Sequence, residues 1–182
     1  DGEKSKNTLI YVIKHENRDA AKASWKAFVS DPAWKKVARE SQVDGKILAQ
    51  RPDSVYMNET KYSPAWKNGK AAKDDVFELR IYKAAAGKLG KLDARFRDHT
   101  IRIFEKHGMK SVSYWHPVDE PDSKDTLIYI IKHENRAAAK KSWKDFLADP
   151  EWKKAAKASG VGRLAKPPAA TYMKPTDYSA IR

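Results

Sequence analysis

The chain has 182 residues, 34% of them charged, with a formal net charge of +13 and no cysteine. The missing thiols exclude disulfides, thiolate metal sites and cysteine nucleophiles. The lysines alternate with acids and alanines as on a solvated surface, without a recognition motif, so neither nucleic-acid binding nor, in the absence of a long apolar run, a membrane span is expected.

Residues 1–7 are polar and read as a loop. Residues 9–13 (LIYVI) are β-branched and aromatic, and too few for an ordinary helix, so they predict a buried strand. Ala21, Trp25, Phe28 and Val29 then share one helical face. Asp31-Pro32 starts a second, short helix: a side-chain oxygen for the free N–H groups, then a proline where no N–H is needed. Residues 45–52 are irregular, and 54–58 (SVYMN) predict a short strand. Residues 63–75 combine Pro, Gly and Lys without periodicity, as a linker does.

Residues 76–82 (VFELRIY) alternate, with Phe77, Leu79 and Ile81 on one face and Glu78, Arg80 and Tyr82 on the other. Residues 88–107 follow helical period, placing Leu89, Leu92, Phe96, Thr100, Ile103 and His107 on one side, and Gly108 stops the helix. Val112, Tyr114 and His116 alternate with Ser111, Ser113 and Trp115 in a further strand, and 117–124 form a loop.

Residues 125–157 repeat residues 7–39 at a constant offset, about two-thirds of the positions being identical, which marks a duplicated unit. The match continues from Tyr56-Met57 and Tyr62-Ser63 to Tyr172-Met173 and Tyr178-Ser179, so 170–174 (ATYMK) are the counterpart of the short strand. Residues 76–182 thus follow the order strand, helix, strand, strand, helix, strand of a ferredoxin-like α+β sandwich. Residues 1–64 hold only the second half of such a unit, and 65–75 join the two. Helices cover one sheet face, and a second unit is the natural cover for the other. The strand at 9–13 lacks both neighbours, so an upstream segment or another chain is expected to complete it, the former agreeing with a chain that starts at Asp1 rather than Met.

These residues resemble the NIPSNAP family, a branch of the dimeric α+β barrel superfamily. The resemblance rests on Phe77-Glu78-Leu79-Arg80-Ile81-Tyr82, Gly87-Lys88-Leu89, Phe96-Arg97-Asp98-His99-Thr100 with Phe104 and His107-Gly108, and Tyr114-Trp115. It continues in Ser142-Trp143 with Phe146, Asp149-Pro150-Glu151-Trp152, and the closing run from Tyr172 to Ser179. It implies ferredoxin-like units pairing into an α+β barrel, within one chain or between copies, with Glu78, Arg80 and Tyr82 lining the interior. It further implies a binding or interaction module without a defined reaction. The alternative it carries is a cofactor-independent monooxygenase or isomerase acting on a small molecule around Arg80, Tyr82, His99 and Tyr114; a second is a haem-binding barrel. Family analogy suggests mitochondria, and the chain's start suggests an export signal lost from a bacterial protein; the compartment stays open.

Arg80 has two readings, an anchor for an anionic ligand or a buried ion pair, with Glu78 or between sheets, and the second is favoured because buried charges need partners. His99 is a candidate proton shuttle. His107 reads as a helix cap, His15 and His133 as equivalent structural residues, and Trp25, Trp34, Trp143 and Trp152 as core. No histidines stand at metal-ligand spacing, and neither metal nor cofactor is expected.

Overall fold

A computed structural model describes residues 3–65 and 70–181, so part of the expected linker, 66–69, lies outside the described residues. The chain forms two compact units, Gly2–Tyr56 and, apart from the first residue, Met57–Arg182. Among the described residues no helix is long and apolar enough to cross a membrane.

The first unit is helical. A single turn, α1 (Lys4–Asn7), stands where a loop was expected, followed by α2 (Arg18–Ser30) and α3 (Pro32–Glu40). Both longer helices start as the sequence predicts: Asn17 accepts from the Ala20 N–H at 2.9 Å, and Asp31 accepts from the Trp34 N–H at 3.0 Å. Residues 9–13 do not form the expected strand. A helix satisfies its backbone from within, whereas a strand needs a neighbour, and this unit contains none. Trp25 and Trp34, expected in a core, are exposed.

The second unit is built on one antiparallel sheet of β1 (Met57–Glu59), β2 (Val76–Lys83), β3 (Lys110–Pro117), β4 (Thr126–His133) and β5 (Ala169–Met173), in the order β1-β3-β4-β2-β5. The last four strands have the ferredoxin-like order, and β1, contributed by the end of the first repeat, extends the β3 edge. One helical stretch runs through α4 (Leu89–Arg95), a π-helical turn (Phe96–Thr100) and α5 (Ile101–Lys106). The helices α6 (Arg136–Ala148) and α7 (Pro150–Ala158) complete the layer. The π-turn has a sequence cause. Leu92, Phe96, Thr100 and Phe104 recur every fourth residue, overshooting the ~3.6 of an α-helix, and the wider turn absorbs the excess so that all four reach the core.

Two expectations about strand faces are corrected. Glu78, Arg80 and Tyr82 pair in register with Ile131, Tyr129 and Leu127, and directly paired residues share a face. Those three β4 residues pack beneath Phe96, Phe104 and Phe146, so the polar face of β2 points into the helix layer and not into a barrel interior. Phe77, Leu79 and Ile81 lie on the opposite face with Trp115, Ile128 and Ile130. In β3 a bulge between Ser111 and Ser113 breaks the alternation. Val112 therefore joins Trp115, while Tyr114 packs on the helix side.

Candidate functional site

The helix-covered sheet face carries the polar groups of the fold. Glu78 on β2 is buried, and both its oxygens are engaged. Oε1 accepts from Arg80 Nη1 at 2.6 Å; Oε2 accepts from the Trp143 indole N–H at 2.7 Å and meets His133 Nε2 at 2.9 Å. Burial pushes the Glu78 carboxyl up, but His133, Trp143 and Arg80 together reverse this and hold it below the usual carboxylate range. The site thus contains a charged carboxylate with no oxygen free to act as a base. Arg80 is held well above the ordinary guanidinium value despite its burial, by Tyr129, Tyr82 and Glu78. Its guanidinium carbon lies 4.1 Å from the centroid of the Trp143 ring, and Nη2 reaches the Tyr82 hydroxyl at 3.4 Å.

Rings continue the site along the sheet. Tyr129 stacks on Tyr114 at 5.4 Å and meets Tyr82 edge-on at 5.3 Å. The Tyr114 hydroxyl pairs with Ser111 Oγ at 2.7 Å, and burial drives its pKa upward. Arg80, Tyr82 and Tyr114 are thereby gathered around Tyr129. His99 is not: it is exposed, on the outer side of the π-turn.

The other histidines tie elements together. His107 follows α5 directly before Gly108, whose φ of 75° suits glycine, and its Nε2 lies 2.7 Å from Asp149 Oδ2. The other oxygen of Asp149 accepts from the Glu151 N–H at 2.8 Å and caps α7. His116 contacts Asp93 at 3.1 Å and the Thr126 carbonyl at 2.8 Å; the Asp93 contact is the main cause of its raised pKa.

The pattern of residues 76–82 pointed to Arg80 and Glu78, but His133, Trp143 and Tyr129 were missed as members of the site. The available signal was burial of a glutamate, which requires donors, and the repeat already marked a histidine and an indole on adjacent elements. Elsewhere, an open cleft of about 500 Å³ at the end of β4 is edged by Lys70, Lys73, Lys110 and Lys132, with Lys132 tied to Asp75 at 2.6 Å. Among the described residues no His, Asp and Glu side chains cluster in a way that would hold a metal ion.

A four-stranded ferredoxin-like sheet, helices on one face and an added edge strand define an α+β sandwich. The NIPSNAP family model matches residues 77–180, more than half of the sequence, and the chain belongs to that family. A NIPSNAP family protein from Agrobacterium tumefaciens is similar in structure, with a TM-score of 0.53 and 19% identity over 62% of this chain and 95% of that one. A second from the same organism, described as of unknown function, gives 0.52 and 18% over 63% and 99%. A NIPSNAP-like domain protein from Burkholderia xenovorans gives 0.52 and 17% over 59% and 90%. Likeness at these identities concerns the fold alone. No curated protein matches.

Proposed function

We propose that this NIPSNAP protein is an interaction module whose first, half-length unit (residues 1–64, joined through 65–75 to the complete unit) takes up a strand–helix–strand segment of the same kind as residues 76–117. One observation carries this reading. Large apolar residues buried in the complete unit are exposed at the matching positions of the first: Leu127 is 0% exposed and Leu9 57%, Phe146 2% and Phe28 42%, Val161 2% and Val43 78%. The chemistry of the occupant follows from the same pairing. His133 and Trp143 hold the Glu78 carboxylate, so their counterparts His15 and Trp25 suit a glutamate on an incoming strand. Tyr129 and Phe146 pack under the first helix of the complete unit, so Tyr11 and Phe28 suit an apolar helix face. Such a segment arrives within one polypeptide or from a further copy, as pairing into an α+β barrel provides.

The enzyme reading draws no support from the geometry, because Glu78, Arg80, Tyr82 and Tyr114 are packed under helices against other side chains. The test adds a synthetic peptide spanning residues 76–117 to the full chain and follows binding by calorimetry. Saturable binding is expected, weakened by Trp25→Ala and untouched by a substitution on the outer face of α7. No binding, or binding indifferent to Trp25→Ala, would defeat the proposal.

A further inference from the structure

The two repeats end in the same turn. In residues 60–63 (TKYS) the Ser63 N–H donates to the Thr60 carbonyl at 3.1 Å, and in residues 176–179 (TDYS) the Ser179 N–H donates to the Thr176 carbonyl, also at 3.1 Å. Each turn follows an edge strand of the sheet, β1 in the first case and β5 in the second. Burial agrees along the two arms: Asn58 and Lys174 are exposed, Thr60 and Thr176 half-buried, Lys61 and Asp177 exposed, Ser63 and Ser179 half-buried. It parts at the tyrosine, where Tyr62 is half-buried and Tyr178 is 70% exposed.

The first arm shows what this turn can hold. β1 lies along the outer edge of β3, and the Thr60 N–H extends that ladder to the Tyr114 carbonyl at 2.9 Å. The Tyr62 hydroxyl donates to Asp93 Oδ1 on α4 at 2.6 Å, an oxygen it shares with His116, and its ring meets that of Tyr114 at 5.6 Å. Ser63 Oγ accepts from the Tyr114 N–H at 3.1 Å and pairs with Ser113 Oγ at 2.8 Å. The arm therefore reads three parts of one strand–helix–strand segment: a strand edge, a hydroxyl on that strand and a carboxylate on the helix before it.

The second arm has the turn and the tyrosine without such a seat. The chain contains one segment of this kind, residues 76–117, and its β3 is filled on both edges, by β1 and by β4. A second arm thus calls for a second segment. Its backbone already has the docked shape, so seating Tyr178 would cost little further ordering, and a seated tyrosine contributes strongly to an interface.

We propose that residues 174–181 are a docking arm for a further strand–helix–strand segment, with Tyr178 as the residue that selects it. The turn lies along the edge of a β3-like strand, and the phenol donates to a carboxylate at the position of Asp93. This rests on the reading that such a segment completes the first unit, and it adds a second hold made by the other end of the chain.

The test titrates a peptide of residues 76–117 into the full chain by calorimetry. Tyr178→Phe in the chain and Asp93→Ala in the peptide are each expected to weaken binding by roughly tenfold, the loss of one hydrogen bond to a charged group. Combined, they should cost no more than either alone, because they remove the same bond. Tyr178→Phe should leave the melting temperature of the chain unchanged, since its ring is exposed, whereas Tyr62→Phe should lower it, since its acceptor lies within the chain. Binding that is lost with Trp25→Ala and indifferent to Tyr178→Phe overturns the docking arm and leaves the reading of the first unit standing. A lower melting temperature for Tyr178→Phe overturns the arm as well, by giving the ring a seat within the chain. Fully additive losses overturn the pairing of Tyr178 with the Asp93 position, and absence of any peptide binding overturns both the arm and the reading beneath it.

Discussion

Residues 8–43 and 126–161 are nearly the same sequence in two settings, and they agree in some features and part in others. The helices agree. Asn17 and Asn135 cap α2 and α6 at 2.9 and 2.8 Å, and Asp31 and Asp149 cap α3 and α7 at 3.0 and 2.8 Å. The Phe28–Trp34 and Phe146–Trp152 pairs share one geometry, 4.4 Å between centroids and 33° between planes. The strand does not agree: residues 9–13 form no ladder, while β4 pairs along its length with β2 and β3. Caps, helices and a helical hairpin are thus properties of the local sequence, and the strand is a property of its neighbours.

Removing the carboxylate that the first unit lacks would push the complete unit toward its state. Glu78→Ala should cost about 3–5 kcal/mol, since it leaves Arg80 charged, buried and unpaired. The folded carboxyl sits below its usual value of 4.5, so its contribution is present above that pH and fades as pH falls through the lowered pKa. Denaturant melts of parent and variant should therefore converge in acid; a constant gap down to low pH would remove the charge from the explanation.

Phe146→Ala and Phe28→Ala test the comparison directly. The first should cost about 3–5 kcal/mol as a core truncation and the second less than about 1 kcal/mol. Equal losses in urea unfolding would mean that α2 has a core of its own. The smallest effect concerns His116. Its pKa is raised above 6.5 by Asp93, so the contact contributes fully below that value and is lost as pH rises through the raised pKa. His116→Ala should abolish a stability step of under about 1 kcal/mol at near-neutral pH, and proton resonance titration of the ring reads the shift itself.

How much was legible follows the same division between local and distant causes. Asn17, Asp31, Asn135 and Asp149 announce their helices because the atoms that cap them lie two or three residues away. The order of strands followed from the repeat and the family resemblance. The direction of the polar face of β2 did not. Alternation separates two faces without saying which one meets the helices, and the answer lies in the pairing with Leu127, Tyr129 and Ile131. Val112 was misplaced because a bulge leaves no mark in an apolar–polar count. Arg80 was correctly paired with Glu78, since buried charge demands compensation wherever it lies.

The π-turn leaves the first helix of the complete unit one residue longer than its contacts require. Deleting exposed Asp98 would bring Leu92, Phe96, Thr100 and Phe104 to a regular three-and-four spacing, and a plain α-helix would then carry the same side chains to the same places. Loss of a residue within α4 or α5 would instead rotate everything beyond it by about 100° and pull Phe104 out from under Tyr129. The two kinds of length change, equal in the gene, are opposite in consequence, and the π-turn is the part of this helix that can lose a residue and keep its contacts.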